Sequence, residues 1–202
     1  TRPLPEKTPP DAIEHNLTFI GLIGLHDPCR EDVGDAINVC SQAGIRTVMI
    51  TGDHPETAAS LARELNILRE GELVMTGEQL AAMSDDKLKK CIDRYSVFAR
   101  VTPEDKVRII KSWQSVGACV MMTAGGMNDA PALHQADISC SVEGKAADVA
   151  VDAADITLSD GDFVNLSSMI RQGRRIRKNL RNLTEFTLTC SIAETLLLAV
   201  GW

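Results

Sequence analysis

Aromatic residues are scarce in this chain of 202 residues: four Phe, two Trp and one Tyr amount to 3%. A core must therefore be assembled from Val, Ile, Leu, Ala and Met. The six cysteines, at positions 29, 40, 91, 119, 140 and 190, form no CxxC pair, and no His stands near any of them at zinc-ligand spacing. That argues against a structural zinc site. The cysteines sit mostly inside apolar runs and read as buried, reduced thiols, which suits the cytosol. The opening Thr-Arg-Pro-Leu-Pro is not a signal peptide. Disorder and collagen-like repeats are excluded by 44% hydrophobic and 24% charged residues.

The formal charge of −7 is unevenly spread. Residues Arg171 to Arg181 hold six basic side chains and no acid, and outside them the balance is −13. An acidic body argues against general nucleic-acid binding, so the short basic stretch needs its own explanation. The chain starts without Met and stops inside the apolar run Leu196–Trp202. It reads as a piece of a longer polypeptide.

Residues 1–16 are Pro-rich and polar and read as a linker. Leu17 to Leu25 is an apolar run containing β-formers. Helices are expected over Arg30–Ala43, Pro55–Leu65, Glu78–Tyr95 (one or two), Thr102 to about Val116, Asn128–Gln135 and Gly144–Ala150. Strands are expected over Arg46–Thr51, Ser96–Val101, Ala118–Thr123, Asp137–Val142 and Asp155–Leu158. Pro55 and Thr102-Pro-Glu-Asp supply the helix-start signals. Strands alternating with helices imply an α/β fold with a parallel sheet and crossover helices. Ligands of such sheets bind beyond the carboxyl ends of the strands, which singles out Thr51 to Asp53 and Thr123 to Asp129. From Phe163 onward a single long helix is expected, continuous at least from Gly173. Its last part, Leu183 to Trp202, is about a bilayer in length. Glu185 and Glu194 interrupt it, so a buried amphipathic helix and a membrane helix with an interior carboxylate are both open. The basic stretch just before it fits the positive-inside pattern.

Three segments carry chemistry. Thr51-Gly-Asp-His offers a hydroxyl, backbone N–H groups and a carboxylate at a strand tip ahead of a helix N-terminus, a setting that attracts phosphate; a plain turn with an Asp cap would look the same. Lys106, early in its helix, is either a solvated side chain or a fixed cation for a phosphoryl group. Thr123-Ala-Gly-Gly-Met-Asn-Asp-Ala-Pro-Ala-Leu133 combines a Gly-Gly turn with an amide and a carboxylate, Asn128 and Asp129, opening a helix. Mg²⁺ wants one or two carboxylates plus substrate phosphate oxygens.

The ordered series TGDHPETA, FARVTPEDK, GGMNDAPAL and AADITLSDGDF resembles the phosphorylation domain of P-type cation-transporting ATPases, of the calcium and sodium branch, within the haloacid-dehalogenase superfamily. Asp27-Pro-Cys-Arg30 resembles the DPPR hinge of that family. Gly173-Arg-Arg-Ile-Arg-Lys-Asn179 resembles the stalk leading into its fifth transmembrane helix. The resemblance implies a Rossmann-like parallel sheet of haloacid-dehalogenase type, incomplete, followed by a long C-terminal helix. It divides the chain into a linker from the nucleotide-binding domain (1–16), a phosphorylation-domain core (17–168), and the stalk with the start of a transmembrane helix (169–202). It implies that Thr51, Gly52 and Asp53 contact the transferred phosphate and that Lys106 stabilises charge on its oxygens. Arg100 would touch nucleotide phosphate, Asp27 and Arg30 would sit at the hinge, and Asn128 and Asp129 would hold the phosphate and Mg²⁺. Glu194 and Ser191 fall at positions of transported-cation ligands. The implied cofactors are Mg²⁺ and ATP. The implied partners are the rest of the pump, the bilayer and a cation, with no nucleic acid; the domain would face the cytoplasm.

Two departures stand out. The family's nucleophile is the Asp of a DKTGT motif, which this sequence does not contain. The strand bearing it belongs between those ending at Thr51 and Thr123, so a gap or a compensating pairing is expected there. The family's TGDGxND reads Thr123-Ala-Gly-Gly-Met-Asn-Asp here, with Gly125 where a metal-ligand Asp is expected and Ala124 where Gly is expected. A fragment of a cation pump, catalytically silent alone, is the leading reading. A soluble phosphatase of the superfamily, with Asp160-Gly-Asp162 as its nucleophile motif, and a degenerate binding or regulatory protein are the alternatives.

Overall fold

The computed structural model describes residues 19–21, 23, 29, 31–142, 148–158 and 163–201. The chain alternates helices and short strands: α1 (Glu31–Gln42), β1 (Met49–Ile50), α2 (Pro55–Glu64), β2 (Leu73–Thr76), α3 (Gly77–Ala81), α4 (Asp85–Cys91), β3 (Tyr95–Ala99) and α5 (Pro103–Ser115). Then follow β4 (Met121–Thr123), α6 (Ala130–Gln135), β5 (Ile138–Val142), α7 (Asp148–Asp152), β6 (Ile156–Leu158) and α8 (Phe163–Val200).

The helix starts are locally encoded. Thr102 and Asp105 form a reciprocal capping box ahead of Pro103, and Thr76 and Gln79 do the same for α3. The His54 side chain accepts from the Glu56 backbone N–H, with Pro55 in the first turn of α2.

The strands form two separate parallel sheets of three, ordered β1-β3-β2 and β4-β5-β6. In the first sheet β3 is central and buried from Ser96 to Ala99. Alternation along it sends Val97 into a cluster with Ile37, Ala58, Ala62 and Ile67, and Phe98 into one with Met75, Leu80, Leu88, Ile92 and Ile109. In the second sheet Met122 packs with Ile110, Ala132, Leu133 and Ala150.

Two aspartates set the start of the second sheet. The Asp137 carboxylate, just before β5, accepts from the Val120 N–H. Asp155, just before β6, accepts from the N–H and hydroxyl of Ser139. These bonds hold the Asp155 carboxyl below the usual carboxylate range, the Ser139 N–H contributing most; Asp137 is lowered chiefly by the Val120 N–H.

Several expectations need correction. The strand β2 was not foreseen; it is four residues hemmed by Gly71 and Gly77, and it earns its place through pairing with β3. Strands β1 and β4 are shorter than expected. The stretch expected as one or two helices breaks at Ser84 into α3 and α4. Of the apolar run Leu17–Leu25, the described residues Phe19, Ile20, Gly21 and Ile23 are in no strand and are exposed; the others lie outside the described residues, as do 1–16 and 144–147. Only Cys40 and Cys140 are buried, and their thiols are pushed up by burial; Cys119 and Cys190 are exposed. Cys119 lies at the rim of an open cleft and Cys190 on the outward surface of α8.

That cleft lies between β1 and β4. It has a volume of about 710 Å³, and its walls include Val48, Ile50, Ile110, Trp113, Met121 and Ile138. Among the described residues no ladder joins β1 to β4, and neither strand has a partner on the side facing the cleft. The long helix α8 packs on α1 and, through Met169 and Ile170, on β5 and β6. Arg174 donates to the Ala43 carbonyl beyond α1. Past that point α8 leaves the body, and it is apolar enough over Ser168–Val200 to cross a membrane by length and composition.

Replacing Phe98 by Ala is expected to cost about 3–5 kcal/mol, because a fully enclosed ring is removed from the middle strand. Urea unfolding should show a lower midpoint at unchanged slope. A second expectation concerns acid. A carboxyl lowered by folding stabilises above its ordinary value, and that stability is lost as pH falls through the folded value. Asp155→Asn should therefore flatten the loss of stability below about pH 4, measured by thermal unfolding across pH.

Candidate functional site

The carboxyl ends of β1 and β3 are stitched together by backbone. The Thr51 N–H donates to Phe98 O, the Val101 N–H to Thr51 O, and the Arg100 N–H to Asp53 O, at 2.9, 3.3 and 3.1 Å. Thr51, Gly52 and Asp53 are thus fixed against the turn that starts α5. The turn closes on itself as well: Thr51 Oγ1 donates to Asp53 Oδ2 at 2.9 Å and accepts from the Asp53 N–H at 3.1 Å. This local ring holds the Asp53 carboxylate near its own strand tip.

Arg100 makes the next turn possible. It has φ +51°, a left-handed conformation rare for a residue with a side chain. Its carbonyl lies against Gly77, where a Cβ would stand 2.2 Å from the Arg100 oxygen. Gly77 is therefore required by a close approach of two backbones. This residue was not singled out by sequence reasoning; a Gly opening a helix after a short strand is its only local signal.

After Arg100, Thr102 caps α5, and one turn in stands Lys106. Its ammonium bonds to Asp129 Oδ1, pairing a residue after β3 with one after β4. Both side chains are mostly enclosed, at 17% and 15% exposure. The second carboxylate oxygen of Asp129 lies over Gly126, 3.1 Å from where a Cβ there would be. Asn128 is exposed within the short turn Met127–Asp129. The structure thus joins Lys106 to Asp129 directly, and joins Thr51 and Asp53 to the start of α5 through backbone. It shows no direct bond from Asp53 to Lys106 or Asp129. Among the described residues positive φ outside glycine occurs only at Asn66 and Arg100, so Ala124 is unstrained in place of Gly.

The remaining candidates lie apart. Asp27 and Arg30 are outside the described residues, as are Asp160 and Asp162. Ser191 and Glu194 are exposed on α8, far along the helix from the strand ends.

A divalent cation does not fit these residues as they stand. Among the described residues no group of three or more His, Cys, Asp or Glu is placed to hold a metal. Asp129 is the one carboxylate at the tip of β4, it is committed to Lys106, and Gly125 brings none. An anion would meet the exposed Asn128 amide and, once Lys106 is released from Asp129, a fixed ammonium at the strand ends.

Comparison with known proteins agrees with this layout. Residues 3–137 match the haloacid dehalogenase-like hydrolase family. The chain is 45% identical over 196 residues to calcium-transporting ATPase 1 of Bacillus cereus, covering 95% of this chain and 22% of that protein. It is 45% identical to calcium-transporting ATPase 1 of Yarrowia lipolytica, over 92% of this chain and 20% of the relative. A sodium/potassium exporting P-type ATPase of Schizosaccharomyces pombe is 38% identical, over 97% of this chain and 20% of its own length. The chain thus spans about a fifth of the length of the curated relatives it matches. Among solved structures, the catalytic domain of the CPx-ATPase CopB-B, studied for its conformational changes upon nucleotide binding, matches with TM-score 0.53 and 28% identity, covering 70% of this chain and 45% of that one.

The Lys106–Asp129 pair generates a stability test. A double-mutant cycle with Lys106→Met and Asp129→Asn should give a coupling of about 1–3 kcal/mol, since each single change strands one enclosed charge. A coupling near zero would mean the pair contributes nothing to holding the two sheets in place.

Proposed function

Because the chain belongs to the haloacid dehalogenase-like hydrolase family, we propose that it is the C-terminal part of the phosphorylation domain of an ATP-driven cation pump of P-type, continued into a stalk and the start of a membrane helix. The observation that carries this reading is the apolar gap between β1 and β4, lined as far as Thr123 at the end of β4, together with the Lys106–Asp129 pair formed by residues that follow β3 and β4. A parallel strand from outside this chain would complete the sheet there and bring a nucleophilic Asp to the cluster.

In that reading residues 1–16 are the linker from a nucleotide-binding domain, 17–168 the core, and 169–202 the stalk and membrane segment. Thr51, Gly52, Asp53 and Asn128 position the phosphoryl group. Lys106 neutralises charge on its oxygens, which is most of what a protein must do in phosphoryl transfer. Arg100 faces nucleotide, and Asp27 and Arg30 form the hinge. Mg²⁺ and ATP serve the whole pump. For Asp129 to hold a metal it would have to give up Lys106, and the second carboxylate is missing at Gly125. Ser191 and Glu194 are ligands for the transported cation. The domain faces the cytoplasm.

The membrane segment is supported by α8 itself. Its hydroxyls at Thr184, Thr187, Thr189 and Thr195 all donate to carbonyls four residues back, at 2.7–2.9 Å. These four hydroxyls are thereby satisfied without water, as an apolar surrounding favours. Gly125 favours a second reading, a degenerate member that keeps the fold and binds without turnover.

The deciding measurement is Mg²⁺-dependent, acid-stable phosphorylation from ATP. The 202-residue chain alone is expected to incorporate none. The complete pump carrying this loop should form phosphoenzyme poorly, and Gly125→Asp should raise it on the order of tenfold or more. Hydrolysis of phosphate esters by the 202-residue chain alone would instead establish a free-standing phosphatase. No phosphoenzyme from either loop in the complete protein would favour the degenerate member.

A further inference from the structure

The basic stretch on α8 is used by none of the chemistry above. Arg174 is committed to the Ala43 carbonyl, and Arg181 bridges to Glu185 at 3.4 Å. Arg171, Arg175, Arg177 and Lys178 remain, all exposed and, among the described residues, without an ion-pair partner. Arg171, Arg175 and Lys178 recur at i, i+4 and i+7, so they share one face of the helix. Arg177 flanks it.

We propose that these four residues form a binding surface for anionic phospholipid headgroups, an inference that rests on α8 entering a bilayer. Leu183 to Val200 spans about 27 Å as helix, close to the roughly 30 Å thickness of the hydrocarbon layer. With that segment in hydrocarbon, Lys178 stands about 7 Å beyond its edge, at the outer limit of the headgroup layer, and Arg177 and Arg175 stand about 9 and 12 Å out, with side chains long enough to reach back to it. Arg171 lies about 18 Å from that edge, beyond direct contact, and contributes through its charge alone.

Charge complementarity selects the occupant. The rest of the chain carries −13, and a long polyanion such as nucleic acid lying along α8 would be driven off by it. A headgroup layer meets only the basic band, because the bilayer holds the acidic body away by the length of the stalk. A local field of this kind acts within a Debye length of about 8 Å at physiological salt. Each basic residue held near an anionic leaflet contributes about fivefold in lipid preference. The docking at Met169, Ile170 and Arg174 fixes the rotation of the helix relative to the body.

The test reconstitutes the chain in phosphatidylcholine bilayers and compares immobilisation of spin-labelled phosphatidylglycerol and spin-labelled phosphatidylcholine by electron paramagnetic resonance. The wild-type chain is expected to favour the glycerol lipid about fivefold or more. The preference should fall to about one in R171Q/R175Q/R177Q/K178Q, and also in about 1 M salt, where screening shortens the field to about 3 Å. It should survive in R171K/R175K/R177K, which keeps every charge. Equal association of both lipids with the wild-type chain would overturn the headgroup surface and leave the membrane helix standing. Absence of any immobilised lipid would overturn the membrane reading, and the headgroup surface with it. Loss of preference in the lysine variant would also overturn it, as would duplex DNA bound by the wild-type chain and released by the glutamine variant in place of a lipid preference.

Discussion

Everything in the body depends on α5 spanning two sheets that share no strand ladder. Successive residues of this helix serve opposite sides. Ile109 enters the cluster beneath the first sheet and Ile110 the cluster of the second. Arg108 reaches Asp85 and the Leu80 carbonyl at 2.7 and 2.6 Å, and also the Met83 carbonyl, binding the α3–α4 corner. The Gln135 side-chain amide donates to Gln114 Oε1, and Gln114 Nε2 donates in turn to the Gln135 backbone carbonyl. Lys106 closes the same span at the strand ends. One helix thus acts as a splint across an open seam, and its polar contacts lie at both ends of it.

The seam and the site are two views of one geometry. Parallel strands gather their carboxyl ends on one side, and crossover loops there carry the polar residues. Thr51 to Asp53 leave β1, Arg100 to Lys106 leave β3, and Asn128 and Asp129 leave β4. Backbone bonds tie the first two exits, and the Lys106–Asp129 pair ties the last two. The electrostatics are consistent with a site short of one partner: the enclosed lysine neutralises the enclosed carboxylate, and neither is left bare.

Much of this was legible in the residues. The capping boxes and N-terminal prolines marked α2 and α5, and alternation of helix and strand signals was enough for a parallel α/β fold. The long helix from Phe163 was readable because neither Pro nor β-formers interrupt it. What escaped was non-local. Strand β2 is too short to carry a periodic signal, and it exists because β3 needs a second neighbour. Arg100 gives no hint of its left-handed backbone, which is set by Gly77, 23 positions earlier. The meeting of Lys106 with Asp129 follows from motif order by family resemblance; spacing alone would not have paired them. The exposed Cys119 and Cys190 misled because an apolar neighbourhood in sequence is not an enclosed one in space.

The seating of α8 has a mechanical corollary. From Arg174, where it last touches the body, to Val200 the helix runs about 39 Å without a break. A stiff rod gripped at one end converts rotation into travel. A tilt of about 10° of the body about that grip would sweep the far end sideways by about 7 Å, more than a full helical turn of displacement along an axis. Small angular rearrangements around the open seam between β1 and β4 would therefore arrive at the other end of the rod as motion on the scale of a side chain.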